Sequence, residues 1–178
     1  MGKTSIKDIE KDKIKLINGL RKNSKENLDV LGGQIGCSRQ KIWRMVRVLE
    51  KKIIWGYTIV FSRELIGLKH FMITINLNAK PLSEKFMLKK IRETISDEIE
   101  KQIKTVSLDC FFYTHGQHDI FIEISAKDIK EALKVREFIC QKIGDYIADV
   151  RVSEVVFNLV ETGIRNPEIK KFDDFYKE

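Results

Sequence analysis

The chain has 178 residues, of which 43% are hydrophobic and 33% charged, so it can form one large or two small folded domains and does not resemble a disordered segment. No apolar run approaches the ~18 residues that a membrane span needs, and the charged start MGKTSIKDIEKDK lacks the apolar region of a signal peptide. Three scattered cysteines, Cys37, Cys110 and Cys140, form no CxxC pair, which argues against a disulfide scaffold or a cysteine zinc site. We therefore expect a cytoplasmic protein without a metal, a cofactor or a membrane partner.

The positive charge is concentrated in the first third of the chain. The formal net charge is +7, and residues 1–66 hold 15 Lys and Arg against 7 Asp and Glu, whereas residues 67–178 hold 18 against 19. Such an asymmetry is typical of a nucleic-acid-binding head on a neutral body. A lysine-rich surface that is simply solvated remains the alternative.

The first segment predicts a helix-turn-helix. Apolar residues at the helical period mark one face of a first helix: Ile6, Ile9, Leu16, Ile17 and Leu20. Asn27 is a candidate N-cap for a second helix, Gly36 can end that helix in a left-handed conformation, and Ser38 can cap a third helix. Gly32 and Gly33 inside the second helix predict a close approach by a neighbouring helix. Two short helices joined by a tight turn that contains glycine describe this motif.

The third helix, SRQKIWRMVRVLEKK, has an apolar and a basic side. Ile42, Val46 and Leu49 are expected to face the core, which leaves basic and amide side chains outside. The major groove of B-DNA admits one α-helix, whose first turns reach the base edges. We assign base contacts to Arg39, Gln40, Lys41 and Arg44. We assign phosphate contacts to Ser38, Arg47, Lys51 and Lys52.

The two tryptophans and the segment that follows the third helix complete the predicted head. Trp43 is expected to pack in the three-helix core, and Trp55 to cover a wing. The segment IIWGYTIVF, residues 53–61, is β-branched and aromatic, which predicts a strand or a short wing hairpin.

The second half of the chain predicts the order β-α-β-β-α-β, a ferredoxin-like arrangement. The expected first strand carries Phe71, Ile73, Ile75 and Leu77, and the expected helix from about Ser83 to Lys104 carries Met87, Ile91, Ile95, Ile99 and Ile103. The expected second strand carries Val106, Leu108, Cys110 and Phe112 on one face and Phe111 and Tyr113 on the other. A third strand carries Ile120, Ile122 and Ile124. A helix capped by Asp128 and Glu131 carries Ile129, Leu133 and Ile143. The fourth strand carries Val150, Val152, Phe157 and Leu159.

Apolar residues on both faces of this sheet predict that a second subunit covers it. Phe111, Tyr113, Phe121 and Phe157 are the residues that require such cover. Helices cover one face, so a symmetric dimer is the economical solution for the other. A dimer also presents two recognition helices to DNA.

The residues of the loop THGQHD, 114–119, allow two interpretations. The first is a polar turn in which Gly116 supplies a positive φ, and the second is a metal site, for which two histidines and one carboxylate are weak evidence. No GxSxG, Walker A, HExxH or GxGxxG motif occurs in the sequence. Asp109, Glu123 and Glu154 lie on predicted strands without an evident acid–base pairing. We therefore expect no catalytic site and no enzyme.

In their order and spacing, three stretches of the chain resemble the Lrp/AsnC (leucine-responsive, feast/famine) transcription regulators. IGCSRQKIWRMVRVLE resembles the turn and recognition helix of that family, IIWGYTIVF followed by LIGL resembles its interdomain strand, and HGQHDIFIEIS is similar to the Gly-x-x-Asp turn of its effector-binding RAM domain. The resemblance covers roughly residues 6–160.

This resemblance implies an α+β protein with an N-terminal, winged-helix-like helix-turn-helix domain and a C-terminal ferredoxin-like βαββαβ (RAM) domain. The implied boundaries are 1–54 for the DNA-binding domain, 55–68 for the connector, 69–161 for the RAM domain and 162–178 for a tail. It implies a bacterial or archaeal sequence-specific regulator that binds double-stranded DNA as a homodimer or larger assembly. It also implies an amino acid or related effector at Thr114, Gly116, His118 and Asp119, with Asp119 meeting the ammonium group.

Two alternatives remain open from the sequence. Some haem-pathway decarboxylases resemble the same scaffold, and His70, His115, His118, Arg136 and Arg151 are the residues that would meet a carboxylated tetrapyrrole. The other alternative is an architectural protein that binds DNA without sequence specificity or effector.

Overall fold

The computed structural model describes residues 6–78 and 97–168, and they form two compact units. The first unit, called the head below, contains the described residues up to Val60 together with those from Asn158 onward, and the second is Phe61–Phe157, called the sheet unit. In the described part of the chain, no helix combines the length and apolar character that crossing a membrane requires. The boundaries implied by the resemblance stay predictions.

Three helices build the N-terminal part of the head. They are α1 (Ile6–Lys22), α2 (Leu28–Ile35) and α3 (Arg39–Lys52). Their core consists of Leu16, Leu20, Leu31, Ile42 and Leu49, all buried. Burial of these side chains at helical spacing confirms the predicted amphipathic faces. The side chains of Ile6 and Ile9 lie outside the described residues.

The segment that joins the head to the sheet unit is irregular. The prediction of a strand or wing at residues 53–61 is wrong for the single chain, because none of these residues has a strand partner and a strand requires one. The prediction that Trp55 covers a wing is also wrong, since Trp55 is fully exposed. A short 3₁₀ turn, Glu64–Ile66, ends at Gly67 with φ 74° and leads into the sheet.

The sheet unit contains a four-stranded antiparallel sheet in the order β2-β3-β1-β4. Its strands are β1 (Lys69–Leu77), β2 (Ser107–Tyr113), β3 (Ile120–Ala126) and β4 (Ile147–Val155). Helix α4 (Asp97–Gln102) precedes β2, and α5 (Ile129–Ile143) joins β3 to a 3₁₀ turn, Gly144–Tyr146. This is the order of the ferredoxin-like fold, so the predicted α+β class is confirmed.

The sheet packs its helix-facing side into one apolar core. Alternate residues of β1 and β3 are fully buried there, among them Phe71, Ile73, Ile75, Ile122 and Ile124. The predicted alternation of these strands is confirmed. For the predicted helix at Ser83–Lys104, the described part shows Ile99 buried and Ile103 partly buried, whereas Met87, Ile91 and Ile95 lie outside the described residues.

The predicted inward face of β2 is wrong beyond Leu108. The pairing with β3 shifts between Leu108 and Cys110, which makes Asp109 an extra, bulged residue, and a one-residue shift exchanges the two faces of a strand. Leu108 and Phe111 therefore pack against the core, whereas Phe112 is exposed. Phe111 and Tyr113, expected on the open face, instead pair with Ile122 and Ile120, which face the helices. Phe111 packs on the core, whereas Tyr113 at the end of the strand remains 48% exposed.

Helix α5 begins as predicted but turns a different face inward. The Asp128 side chain accepts a hydrogen bond from the Glu131 amide at 3.0 Å, and the Glu131 carboxylate accepts one from the Lys127 amide at 2.9 Å. Ile129 and Leu133, expected in the core, are exposed. The buried residues are Ala132, Val135, Ile139 and Ile143. They follow one another at spacings of three or four residues, so they lie on one face of the helix.

The fourth strand is shorter than predicted. It ends at Val155, so Phe157 and Leu159 lie beyond it. The chain then forms a small hairpin from β5 (Val160–Glu161) and β6 (Ile164–Arg165). Its turn has positive φ at Thr162 and Gly163, 48° and 91°, and this hairpin belongs to the head.

Candidate nucleic-acid interface and effector loop

The turn between α2 and α3 is held by the caps that the sequence predicts. The Asn27 side chain accepts a hydrogen bond from the Asp29 amide at 2.9 Å, and the Ser38 hydroxyl accepts one from the Lys41 amide at 3.4 Å. Gly36 ends α2 with φ 79°, a left-handed conformation that favours glycine. These caps fix where the third helix starts and which way it leaves the turn.

The close approach expected at the two glycines of α2 occurs at one of them. A Cβ at Gly32 would lie 2.5 Å from the backbone oxygen of Cys37, whereas a Cβ at Gly33 would have no neighbour within 4 Å. The neighbour is the turn itself, so the prediction of a neighbouring helix is wrong. Gly32 lets the chain fold back tightly between the two helices.

Four of the predicted DNA-contacting side chains share one exposed face of α3. Gln40, Arg44, Arg47 and Lys51 are exposed and follow one another at spacings of four, three and four residues, which aligns them along the helix. Ile42 and Leu49 are buried on the opposite side. We call these four residues the outer stripe.

Trp43 lies beside the outer stripe, and the prediction that it packs in the core is wrong. Its side chain is 50% exposed, and the Arg47 guanidinium carbon lies 5.5 Å from its ring centroid. Such cation–π contact orients an arginine side chain without neutralising it. Arg47 also lies 3.6 Å from the Glu50 carboxylate.

The remaining predicted residues lie on the flanks of the helix. Lys51 belongs to the stripe and Lys52 is exposed beside it. Arg39 forms an exposed ion pair with Asp29 at 3.3 Å. Lys41 is half-buried, and its ammonium lies 3.0 Å from the Asp12 carboxylate of α1. Lys41 thus joins α3 to α1.

Asp12 and Cys37 are residues that the sequence interpretation missed. The Cys37 thiol also donates to the Asp12 carboxylate, at 3.6 Å. Hydrogen bonding to Lys41 lowers the pKa of Asp12 below its usual value, and hydrogen bonds to Cys37 and to Asp12 raise the pKa of Lys41. Asp12 lies 25 and 29 residues from these partners, too far along the chain for a periodic pattern of residues to predict the contact.

We expect the head to lose stability in acid through Asp12. A carboxylate whose pKa is lowered on folding contributes stability above its unfolded pKa of about 3.8, and that contribution disappears as the pH falls through the lowered value. Thermal unfolding followed by tryptophan fluorescence should give wild type a higher Tm than Asp12→Asn at pH 6. The difference between the two Tm values should narrow as the pH falls below 3.8, and it should vanish once the pH is below the lowered pKa of Asp12. A constant gap across this range would contradict the assignment.

The loop at residues 114–119 is a turn whose polar groups are bonded to the chain. The Thr114 amide donates to the Asp119 carbonyl at 2.9 Å, the Asp119 amide donates to the Ile75 carbonyl at 3.0 Å, and an Asp119 carboxylate oxygen accepts from the Leu77 amide at 2.7 Å. The Thr114 hydroxyl donates to the His118 carbonyl. This loop therefore closes the sheet at the end of β1.

Two details of this loop differ from the sequence interpretation. Gly116 does not have a positive φ, so its conformation is one that other residues also adopt. The His118 ring nitrogen lies 2.9 Å from the Asn76 side-chain oxygen, and its ring lies against Phe121 at 5.4 Å. Asn76 and Leu77 were not foreseen as neighbours of the loop, because strand pairing brings them there.

Among the described residues, the strand carboxylates have separate partners. Asp109 lies 3.2 Å from Arg63, Glu123 lies 3.6 Å from His70, and Glu154 lies 2.7 Å from Lys69. Residues 6–78 and 97–168 bring no three His, Cys, Asp or Glu side chains together in an arrangement that could hold a metal ion. His115 is exposed and Arg151 is paired with Asp149 at 2.7 Å.

No family model matches the sequence, and neither does any curated protein sequence. Several solved structures match it over most of its length. E. coli AsnC is 23% identical, with a TM-score of 0.57, and the match covers 85% of this chain and 94% of that one. An AsnC family transcriptional regulator from Agrobacterium tumefaciens is 15% identical, with a TM-score of 0.61 over 89% and 97%. A transcriptional regulator from Neisseria meningitidis, NMB0573, solved as a complex with L-Met, is 16% identical, with a TM-score of 0.59 over 89% and 97%.

The chain is therefore of the class that joins a helix-turn-helix head to a ferredoxin-like sheet unit. Its fold is that of the Lrp/AsnC transcriptional regulators, and the resemblance inferred from the sequence is confirmed at the level of the fold.

Proposed function

We propose that this protein is a transcriptional regulator of the Lrp/AsnC type that binds duplex DNA through α3. The observation that carries the proposal is the outer stripe: Gln40, Arg44, Arg47 and Lys51 occupy the exposed face of a helix that follows a capped turn. Arg and Gln side chains can pair with guanine and adenine edges in the major groove. The fold shared with regulators supports a binding function over an enzymatic one.

The electrostatics of α3 favour a sequence-reading role for Arg44. Arg47 is paired with Glu50 and stacked on Trp43, and Lys41 is bonded to Asp12. Within the described residues, Arg44 has no ion-pair partner, so its five donors face outward. We assign base contact to Arg44 and Gln40, and phosphate contact to Arg39, Arg47, Lys51 and Lys52.

We propose that the protein acts as a dimer or an assembly of dimers. Two surfaces of the single chain support this. The open face of the sheet carries Met72, Cys110, Phe112 and Phe121 among polar residues. The segment at residues 53–61 exposes large apolar side chains, which are Ile53, Trp55, Tyr57, Ile59 and Phe61. Apolar surface of this extent is typical of a protein interface.

We propose that any effector is an amino acid or related metabolite that meets the loop at residues 114–119. The regulator NMB0573, which shares the fold, was solved with L-Met. In this chain Thr114, His118 and Asp119 each hold a part of the loop, so a ligand that bonded to them would change the end of β1. A ligand of this kind alters DNA affinity only through unequal affinity for two states.

Arg44→Ala tests the proposal. Sequences bound by the wild-type protein are first selected from a random duplex pool, and the affinity of each variant for a selected duplex and for a scrambled one is then measured. We expect Arg44→Ala to lose about 1–3 kcal/mol of discrimination between the two. Lys22→Ala is the matched control, since it removes one exposed positive charge from α1. Equal binding of both duplexes by wild type would contradict a specific regulator and favour an architectural protein.

A further inference from the structure

A carboxylate on α1 holds one basic side chain of α3 in place within the head. The Lys41 ammonium lies 3.0 Å from an Asp12 carboxylate oxygen, and the Cys37 thiol donates to the same oxygen at 3.6 Å. The Asp12 side chain is 17% exposed and that of Lys41 is 43% exposed. Asp12 therefore connects the first helix both to α3 and to the turn that precedes α3.

The ion pair of Lys41 is more sheltered from water than that of Arg39, its neighbour on α3. Arg39 also pairs with a carboxylate of another helix, but the side chain of that residue, Asp29, is 57% exposed. An exposed pair contributes little to stability, because each of its charges is hydrated when the pair opens. The Asp12 carboxylate, at 17% exposure, is poorly hydrated, so leaving it without a cation is unfavourable. Lys41 is therefore held more firmly in its pair than Arg39.

Lys41 lies where a freed ammonium would reach DNA. It is the third residue of α3, which begins at Arg39, and the first turns of a helix in the major groove lie close to base edges and phosphates. A lysine side chain is a flexible point charge, so it can contact a nearby phosphate without reading the sequence. In the head, however, the Lys41 ammonium is bonded to α1, outside the outer stripe.

We propose that Asp12 withholds Lys41 from DNA and thereby limits the sequence-independent part of the head's affinity. Each phosphate that a side chain neutralises releases counterions and so strengthens binding to every duplex alike. The ammonium of Lys41 is already neutralised within the protein, so the base contacts assigned to Gln40 and Arg44 supply a larger share of the affinity. Asp12 is in this sense a positioning residue that acts through Lys41. The inference rests on the proposed function.

Removal of the Asp12 charge should strengthen DNA binding although it destabilises the head. Asp12→Asn keeps the size of the side chain and frees the Lys41 ammonium, so we expect tighter binding of both the selected and the scrambled duplex. The slope of log affinity against log salt should steepen by about 0.9 for each head, the value for one added phosphate contact. Fluorescence anisotropy of the labelled duplexes measures both quantities. A purely structural bond would weaken binding when it is lost, so the sign of the change distinguishes the two roles.

Two further variants separate the release of Lys41 from a general gain of positive charge. Glu10→Gln removes an exposed carboxylate from the same helix and is the matched control, whose slope should stay near that of wild type. Asp12→Asn combined with Lys41→Gln should bring the slope back to the wild-type value. The proposal is overturned if Glu10→Gln gains as much as Asp12→Asn, or if the gain persists in the double variant. Unchanged or weaker binding by Asp12→Asn, with far-UV circular dichroism showing a folded protein, would also overturn it.

Chemical acetylation tests the restraint on Lys41 without DNA. Acetic anhydride reacts with neutral amines, and a nearby carboxylate keeps an amine protonated. In wild type, Lys41 should be acetylated several-fold more slowly than Lys51 and Lys52, which are exposed at the other end of α3. Asp12→Asn should abolish this difference, which mass spectrometry of the peptides measures.

The acetylation result also separates failure of this inference from failure of the proposed function. Equal acetylation rates of the three lysines in wild type would overturn the restraint. If wild type binds neither duplex, the proposed function fails and the withholding of Lys41 from DNA fails with it, whereas the acetylation rates still decide whether Asp12 holds the ammonium.

Discussion

Gly32→Ala is expected to unfold the head at temperatures where the sheet unit remains folded. The added methyl would lie 2.5 Å from the Cys37 backbone oxygen, and that oxygen belongs to the turn that joins two capped helices. Neither the helix nor the turn can move without breaking the Cys37 and Gly36 amide bonds to the Gly32 carbonyl, 2.9 and 2.8 Å long. We expect a loss of about 2–3 kcal/mol of stability.

Tryptophan fluorescence is a selective measure of this loss. Both tryptophans of the chain lie in the head. Trp55 is already fully exposed, so the unfolding signal comes from Trp43, which is half-buried and lies against Arg47. A loss of 1 kcal/mol should lower the Tm of a unit of this size by about 4–8 °C. Gly33→Ala is the matched control, because nothing lies within 4 Å of its Cβ and alanine is the better helix former by about 1 kcal/mol. A Gly32→Ala protein as stable as Gly33→Ala would show that the turn is not packed as described.

DNA affinity is expected to fall steeply with salt. Each head presents five exposed basic side chains on α3, which are Arg39, Arg44, Arg47, Lys51 and Lys52. A dimer would therefore neutralise on the order of 6–10 phosphates, and its affinity would drop about 10³–10⁵-fold between 50 and 200 mM salt. Fluorescence anisotropy of a labelled duplex measures the slope of log affinity against log salt. Light scattering on the same samples gives the number of protomers in the assembly that binds the duplex.

The variant Lys52→Ala tests whether this side chain contributes to the salt dependence. It should reduce the slope of log affinity against log salt by about 1 for each phosphate that the variant no longer neutralises, and it should leave the discrimination between duplexes intact. Arg136→Ala, on helix α5 of the sheet unit, is the control for general charge. A slope near zero for wild type would contradict DNA binding by this helix, and a monomer in light scattering would contradict the dimer.

The parts of the fold that were predictable are those fixed by neighbouring residues. Asn27, Gly36 and Ser38 each act on a backbone group at most four residues away, so their types alone mark the helix ends. The alternation of Phe71, Ile73 and Ile75 is likewise local. Helix and strand periods therefore predicted the three helices of the head and the element order of the sheet unit, and with it the ferredoxin-like class.

The wrong predictions fall where one inserted residue shifts the register of a strand, or where groups far apart in the sequence determine a contact. The bulge at Asp109 exchanges the faces of β2, and no apolar pattern reveals an inserted residue. Trp43 is apolar enough for a core, but the three-helix core is already filled by smaller side chains. The bond between Lys41 and Asp12 spans 29 residues, so the sequence could rank Lys41 as basic but could not show that it is already bonded.

The hairpin at Val160–Arg165 has a consequence for biosynthesis. Gly163 lies close to Arg21 of α1, since a Cβ built on Gly163 would be 3.7 Å from the Arg21 guanidinium. The first helix and one of the last described turns therefore belong to the same unit. On the ribosome, the three helices emerge more than a hundred residues ahead of that turn. The three helices and their shared core can therefore form before the hairpin is translated, and Arg21 meets Gly163 only after the intervening sheet unit has been synthesised.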